Sequence, residues 1–257
     1  MKDYRSLLTK GQKIGGAAVG GAIGSLTGPE GNVLGAALGA AVSETCVIVL
    51  TDLANRFLSP KEEQRVAGVA ALSIDGIRER QLFEPIRSDD FFDDGATTVS
   101  AAEEIFEGVL LSAKQEHEQL KLPLLAKFYA NLVFESSIKR SEANYLLSIA
   151  ESLTYTQLCL LGLCTKKQKR DYKLRERCWM IAEGVSSETE SLAVQAEDLK
   201  QRQLFYQRPP SPWDQKFKDT ETLPRYTSLS TVGERLANLM ELHNIENEVL
   251  KAVADNW

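Results

Sequence analysis

The stretch IGGAAVGGAIGSLTGPEGNVLGAALGAAVS, residues 14–43, contains a single charged residue, Glu30. Ten of the 17 glycines of the chain lie in its first 39 residues. Two runs of them recur at every fourth position: Gly16, Gly20, Gly24 and Gly28, then Gly31, Gly35 and Gly39. Because residues four apart share one face of a helix, each run predicts a helix with a smooth stripe that another helix can approach closely.

The segment Gly28-Pro29-Glu30-Gly31 is a strong turn signal, so we expect a helical hairpin with arms over about 14–27 and 33–53. The first arm reaches about 21 Å, which is less than the roughly 30 Å of a bilayer hydrocarbon core. The apolar part of the second arm, residues 33–51, reaches about 28 Å and could nearly span, but it contains Glu44, and an acid at mid-depth costs about 2.5–3.5 kcal/mol. These lengths argue against a permanent anchor and favour a hairpin that inserts only when assembled, with Glu44 facing a partner or a wet lumen. The alternative is a tightly packed soluble hairpin.

The motif Gly16-xxx-Gly20-xxx-Gly24-xxx-Gly28 resembles the glycine-zipper segments of membrane-associated bacterial proteins. A phosphate-binding loop does not fit, because neither Gly-x-Gly-x-x-Gly nor a Gly-Lys-Ser/Thr ending is present. The resemblance implies a role in membrane contact and self-association. The residues assigned to that role are Gly16, Gly20, Gly24, Gly28, Gly31, Gly35, Gly39 and Glu44.

The middle of the chain carries helix-start signals followed by apolar residues at helical spacing. Ser59-Pro60-Lys61-Glu62 predicts a helix over 60–82, and Ser100 with Glu103 predicts one over about 100–120. Pro123 opens an apolar helix that runs to Phe134. His117 falls on the apolar face of the second helix, so we expect a core histidine.

The C-terminal part changes from helices to a helix–strand–strand–helix order. Thr154 with Gln157 caps one helix, and residues 187–190 open another. Two strand-like segments, 203–207 and 225–229, follow it and flank a proline-rich loop. This order resembles a winged helix, in which the helix before the wing reads DNA.

The charges of that helix argue against DNA. Residues 187–203 carry a net charge of −2, and the whole chain carries −6, whereas nucleic-acid affinity depends on neutralising phosphates. We therefore expect the module to bind a protein. One basic stretch is the best candidate for an anionic contact, with a DNA-binding regulator as the alternative; its candidate residues are Lys166, Lys167, Lys169 and Arg170.

The residues available for catalysis are few. The chain has two histidines and no Gly-x-Ser-x-Gly motif. Cys159 and Cys164 are five apart on an apolar segment, which is wrong for a zinc pair. The acidic loop 89–94 lacks the ligand order of an EF-hand. We expect a protein without catalytic site, metal or cofactor.

The sequence thus predicts a mainly α-helical protein with three parts: a glycine-zipper hairpin over 1–58, a helical middle over 59–140, and a winged-helix-like domain with a two-stranded β-wing over 141–257. Four cysteines at this length favour a reducing compartment. The leading hypothesis is a cytoplasmic, non-catalytic bacterial effector or accessory protein in cell defence that engages the inner membrane conditionally. Its expected partners are further copies of itself, a regulatory protein and membrane lipid, and nucleic acid is not expected. The second hypothesis is a soluble scaffold or sensor with the hairpin in its core.

Overall fold

The computed structural model describes residues 39–56, 58–95, 97–167, 172–175, 186–207 and 222–257. The protein is mainly helical, with a small antiparallel two-stranded sheet near the C-terminus. The predicted fold class is thus confirmed in two respects, the mainly helical content and the small two-stranded sheet. The helices and strands of the described residues are α1 Ala40–Ala54, α2 Pro60–Gln81, α3 Ala101–Gln115, α4 Leu122–Leu132, α5 Arg140–Ser152, α6 Tyr155–Lys166, α7 Ser187–Gln201, β1 Phe205–Gln207, β2 Thr227–Leu229, α8 Thr231–Leu239 and α9 Asn247–Asn256.

Local side-chain caps set where several helices begin. At α3, the N–H of Glu103 donates to Ser100 Oγ at 3.2 Å, and Ser100 Oγ donates to the Glu103 carboxylate at 2.9 Å. At α6, the N–H of Gln157 donates to Thr154 Oγ1 at 3.2 Å, and the N–H of Thr154 donates to Gln157 Oε1 at 2.9 Å. In both helices the side-chain oxygen of the N-cap satisfies an amide that the first turn leaves without a partner. The reciprocal bond to the N-cap amide forms at α6, which confirms the predicted Thr154–Gln157 capping box, whereas at α3 the Glu103 carboxylate accepts from the Ser100 hydroxyl instead.

The described chain divides into two compact units, one ending at Ser152 and one covering Leu153–Trp257. The sequence-based boundary at 140/141 falls in the first turn of α5, a helix that belongs to the first unit. Most of the predicted hairpin domain lies outside the described residues, so the three-domain division stays a prediction.

The core of the first unit is built where α2 packs against α3 and α4, with α1 lying against α3. Phe106 of α3 and Tyr129 of α4 stack in its centre with ring centroids 4.4 Å apart, and both side chains are fully buried. Ile77 of α2 and Leu110 of α3 are buried as well. Burial of these large apolar groups supplies the main stabilisation of the unit.

A buried ionic cluster, here called the Arg87 clasp, ties the loop after α2 to the end of α4. The Arg87 side chain is 1% exposed, and its Nε and Nη2 donate to the two carboxylate oxygens of Asp89 at 2.6 Å each. Its guanidinium also donates to the carbonyls of Leu132 at 3.3 Å and Ile138 at 3.1 Å. It lies over the Phe91 ring, 4.2 Å from the centroid. The clasp therefore joins segments that lie about 45 to 51 positions apart in the chain.

The second unit places its sheet beside the C-terminal helices. Strands β1 and β2 pair in the register Phe205 with Leu229 and Gln207 with Thr227, inside the two predicted strand segments. Trp257 stacks on Phe205 with centroids 5.9 Å apart. A side chain at Gly233, in the first turn of α8, would collide with the carbonyl of Leu204, so this helix starts directly against the backbone before β1.

Two helix boundaries differ from the prediction. Helix α1 begins at Ala40. Its N-cap, Gly39, has φ 76° and ψ 145°, a conformation outside the right-handed helical region that favours glycine, so the helix does not include this residue. Helix α3 ends at Gln115, where Glu116 turns to ψ 126°. The expectation of a core histidine is therefore wrong: the side chain of His117 is 91% exposed.

Candidate functional site

Six of the seven glycines assigned to membrane contact and self-association lie outside the described residues, namely Gly16, Gly20, Gly24, Gly28, Gly31 and Gly35. Gly39 is described and stands at the joint between that segment and α1. A Cβ placed there would lie 3.4 Å from Ile86 Cδ1 and 4.0 Å from Gln81 Nε2. The glycine-rich segment therefore meets the folded unit beside the end of α2.

Helix α1 has two different faces below this joint. Val42, Cys46 and Leu50 are buried in the first unit, whereas Glu44 is exposed. At 15 residues the helix is about 22 Å long, shorter than the roughly 30 Å hydrocarbon core. Within the described part of the chain no single helix has both the length and the apolar character to cross a membrane, although α5 and α6 taken together, as a bent pair, meet that test.

The structure reveals an apolar pair that sequence reasoning missed. Leu82 and Phe83, directly after α2, are 78% and 89% exposed. We refer to these two residues as the Leu82–Phe83 step. The available signal was an apolar dipeptide placed between the charged end of a helix and Glu84-Pro85, in a segment assigned simply to the helix terminus.

Two of the four basic candidates, Lys166 and Lys167, are among the residues that the structure describes. Lys169 and Arg170 lie outside them. Lys166 Nζ donates to the Ile245 carbonyl at 2.9 Å and to Asn247 Oδ1 at 3.2 Å, so it holds the start of α9. Burial lowers the pKa of neighbouring Lys167. Lys166 is thus engaged within the second unit, and the anionic-contact role of the four basic residues stays a prediction.

Acidic residues of α7 also have structural partners. Asp198 accepts a hydrogen bond from Gln157 Nε2 at 2.7 Å and another from Arg202 Nε at 2.9 Å, which links α7 to α6. Glu197 accepts from Thr222 Oγ1 at 2.7 Å. Val194, by contrast, is 64% exposed on the same helix. The exposed side chains of α7 therefore include the apolar Val194 and the carboxylates of Glu188 and Glu190.

The thiols and metal-ligating residues show no reactive arrangement in the described part of the chain. Burial raises the pKa of both Cys46 and Cys164 to about 12, which keeps them as neutral thiols. Among the described residues no cluster of three or more histidines, cysteines or carboxylates is placed to hold a metal ion.

In comparisons with known proteins, no protein-family model, no curated protein and no solved structure matches this chain.

Proposed function

We propose that the protein is a non-catalytic bacterial effector or accessory protein in cell defence. Its glycine-rich segment mediates self-association and conditional engagement of the inner membrane. The observation that carries the proposal is the near charge-free segment 14–38, with glycine at every fourth position, joined at Gly39 to a charged helical body.

The burial of α1 supports conditional rather than permanent membrane contact. Val42, Cys46, Leu50 and Leu53 fill the core of the first unit, so α1 stays with the folded body. The residues that enter the bilayer are then those before Gly39. The predicted first arm, about 21 Å long, is shorter than the hydrocarbon core, so we expect several copies to insert together, with Glu30 of the predicted turn facing a partner or water.

The second unit carries the proposed protein-binding role as a winged-helix-like module. The order α7, β1, β2, α8 follows the pattern of such domains. Residues 187–203 carry a net charge of −2, and the carboxylates of α7 flank the exposed side chain of Val194. An apolar residue within an acidic surface suits a basic protein partner better than DNA.

A vesicle-leakage assay tests the membrane role. The full chain is added over a concentration series to vesicles of phosphatidylethanolamine and phosphatidylglycerol that hold a self-quenched dye. We expect leakage from the natural protein and a loss of roughly tenfold or more in Gly20→Leu and Gly35→Leu, because leucine fills the smooth stripe. Gly21→Leu is the matched control, since it lies off the four-residue register.

Two results would argue against this function. The absence of leakage at every concentration, with a monomer throughout in light scattering, would remove the membrane role. Unfolding of Gly20→Leu and Gly35→Leu would instead favour the second candidate, a soluble scaffold with the glycine segment in its core. The position of Gly39 beside Ile86, where an added Cβ would make ordinary van der Waals contact, is the observation that favours that candidate.

A further inference from the structure

The C-terminal end of α6 carries a lysine that has no counter-ion within the described part of the chain. Lys167 is the C-cap residue of this helix, and its side chain is half-buried. Burial lowers the pKa of its ammonium, and the charge of Arg225 lowers it further. The neighbouring thiol of Cys164 is neutral, because burial raises its pKa to about 12. Lys167 is thus a partly desolvated cation whose charged neighbour, among the residues described, is a second cation.

Two arginines lie near this lysine in the second unit. Arg225 belongs to the short 3₁₀ turn Pro224–Tyr226, which leads directly into β2, and α6 packs against β2. The backbone N–H of Arg225 donates to the carbonyl of Arg175 at 3.2 Å, which adds a third basic residue. Arg225 is exposed to solvent, whereas Lys167 is half-buried. We refer to Lys167, Arg175 and Arg225 as the Lys167 cluster.

The neighbouring lysine shows what a charge that serves the fold looks like. Lys166 Nζ donates to the Ile245 carbonyl and to Asn247 Oδ1, so its ammonium is solvated by polar atoms of the protein. Lys167 instead loses part of its hydration and lies near a like charge, and both effects disfavour its charged form. Groups held at such a cost are typical of sites where a ligand of opposite charge offsets it.

We propose that Lys167 and Arg225 bind a phosphate group. An ammonium acts on phosphate as a point charge, and a guanidinium offers paired N–H donors that match two phosphate oxygens, so the two side chains complement each other. The phosphate belongs either to a small soluble ligand or to a lipid headgroup. This inference goes beyond the proposed function and needs neither the glycine-rich segment nor the α7 surface.

Tryptophan-detected thermal unfolding of the full chain in inorganic phosphate, compared with chloride at the same pH and ionic strength, tests the site. We expect about 20 mM phosphate to raise the unfolding midpoint of the second unit by about 4 °C, and by clearly less in Lys167→Met and Arg225→Gln. Phosphate also stabilises proteins generally, because it is excluded from their surface, so the difference between the proteins is the quantity to read. Lys251→Gln is the matched control. It removes one positive charge from α9, where the ammonium pairs with Asp255, and should keep the full shift.

The midpoint in chloride alone is a second readout that does not depend on the ligand. Because Lys167 is partly desolvated, Lys167→Met should unfold at the same temperature as the natural protein or at a higher one. A lower midpoint would show that the ammonium stabilises the fold and would overturn the proposal. A phosphate shift of equal size in all four proteins would overturn it as well, since only the general effect of the salt would remain.

Cosedimentation with vesicles of phosphatidylglycerol, compared with phosphatidylcholine, distinguishes the two sources of phosphate. A phosphate shift without vesicle binding supports a soluble ligand. A phosphate shift together with phosphatidylglycerol binding that Lys167→Met and Arg225→Gln both lose supports a lipid headgroup. Binding of duplex DNA that both variants lose, without any phosphate shift in the natural protein, would assign the Lys167 cluster to nucleic acid and overturn the proposal.

Discussion

Asp89→Asn tests how far the stability of the first unit depends on the Arg87 clasp. The substitution keeps the size of the side chain and removes its negative charge. Arg87, 1% exposed, then keeps its two carbonyl acceptors and the Phe91 ring but loses the anion that pairs with it. A buried charge without a counter-ion is among the most destabilising groups in a protein.

The expected loss follows from the burial of the two partners. Removing one member of a buried ion pair costs about 3–5 kcal/mol. Asp89 is 19% exposed and asparagine keeps one oxygen that accepts a hydrogen bond, so we expect about 3 kcal/mol, the lower end of that range. Lys139→Ala is the matched control. Its ammonium contacts the same carboxylate at 2.8 Å, but the side chain is 62% exposed, so the loss should stay below about 1 kcal/mol.

The pH dependence has a definite sign. The hydrogen bonds from Arg87, with a further contribution from Lys139, hold the pKa of Asp89 below its usual range. A carboxyl group whose pKa is lower in the folded state contributes stability above its unfolded pKa of about 3.9 and loses it as the pH falls. The difference in unfolding free energy between the natural protein and Asp89→Asn should therefore start to shrink below about pH 5 and keep shrinking until the pH falls below the lowered pKa of Asp89.

Urea titrations at several pH values measure both effects. Far-UV circular dichroism follows the helices of both units, whereas the three tryptophans, Trp179, Trp213 and Trp257, all belong to the second unit. Comparing the two signals separates the unfolding of the units. A loss below about 1 kcal/mol with an unchanged urea dependence, or a difference that stays constant with pH, would refute the role given to the clasp.

Two further predictions concern the packing of the second unit and the buried thiols. Gly233→Ala should destabilise the second unit by about 2 kcal/mol in tryptophan-detected urea titrations, because the added methyl group meets the carbonyl of Leu204. Thr231→Ala, at an exposed position of the same helix, is the control and should change the unfolding free energy little. An equal loss in both variants would contradict the close approach of Gly233 to Leu204. Cys46 and Cys164 should remain unlabelled by iodoacetamide at pH 8 until urea unfolds the chain, since burial raises the pKa of each thiol to about 12. Peptide mass spectrometry measures the labelling, and rapid labelling of either cysteine in the folded protein would contradict this prediction.

The parts of the fold that local rules determine were predictable from the sequence. The Ser100–Glu103 and Thr154–Gln157 caps depend on residues three apart, and both formed as expected. The two strands also lie within their predicted segments, because strand-like composition and the proline-rich loop between them mark them locally. Helix α3 ended early, and the apolar spacing that placed His117 in the core did not register the turn at Glu116.

The features that depend on distant contacts were not predictable. Arg87 pairs with Asp89 two positions away, yet its burial comes from carbonyls of Leu132 and Ile138, which sequence spacing does not bring together. The exposure of Phe83 has the same origin, since an apolar residue at a helix end is exposed or buried according to which other helices reach it. The candidate site at the N-terminal segment therefore came from the sequence, and the exposed Leu82–Phe83 step came from the structure.

Gly39 also determines how mechanical load would pass through the molecule. Any pull on the glycine-rich segment acts on the backbone at this residue, and its neighbour Ala40 opens the first turn of α1. The first two turns of α1 are fixed by Val42 and Cys46, which are 1% and 0% exposed in the core. Tension would then fray the start of α1 first and bring the Cys46 thiol into contact with solvent.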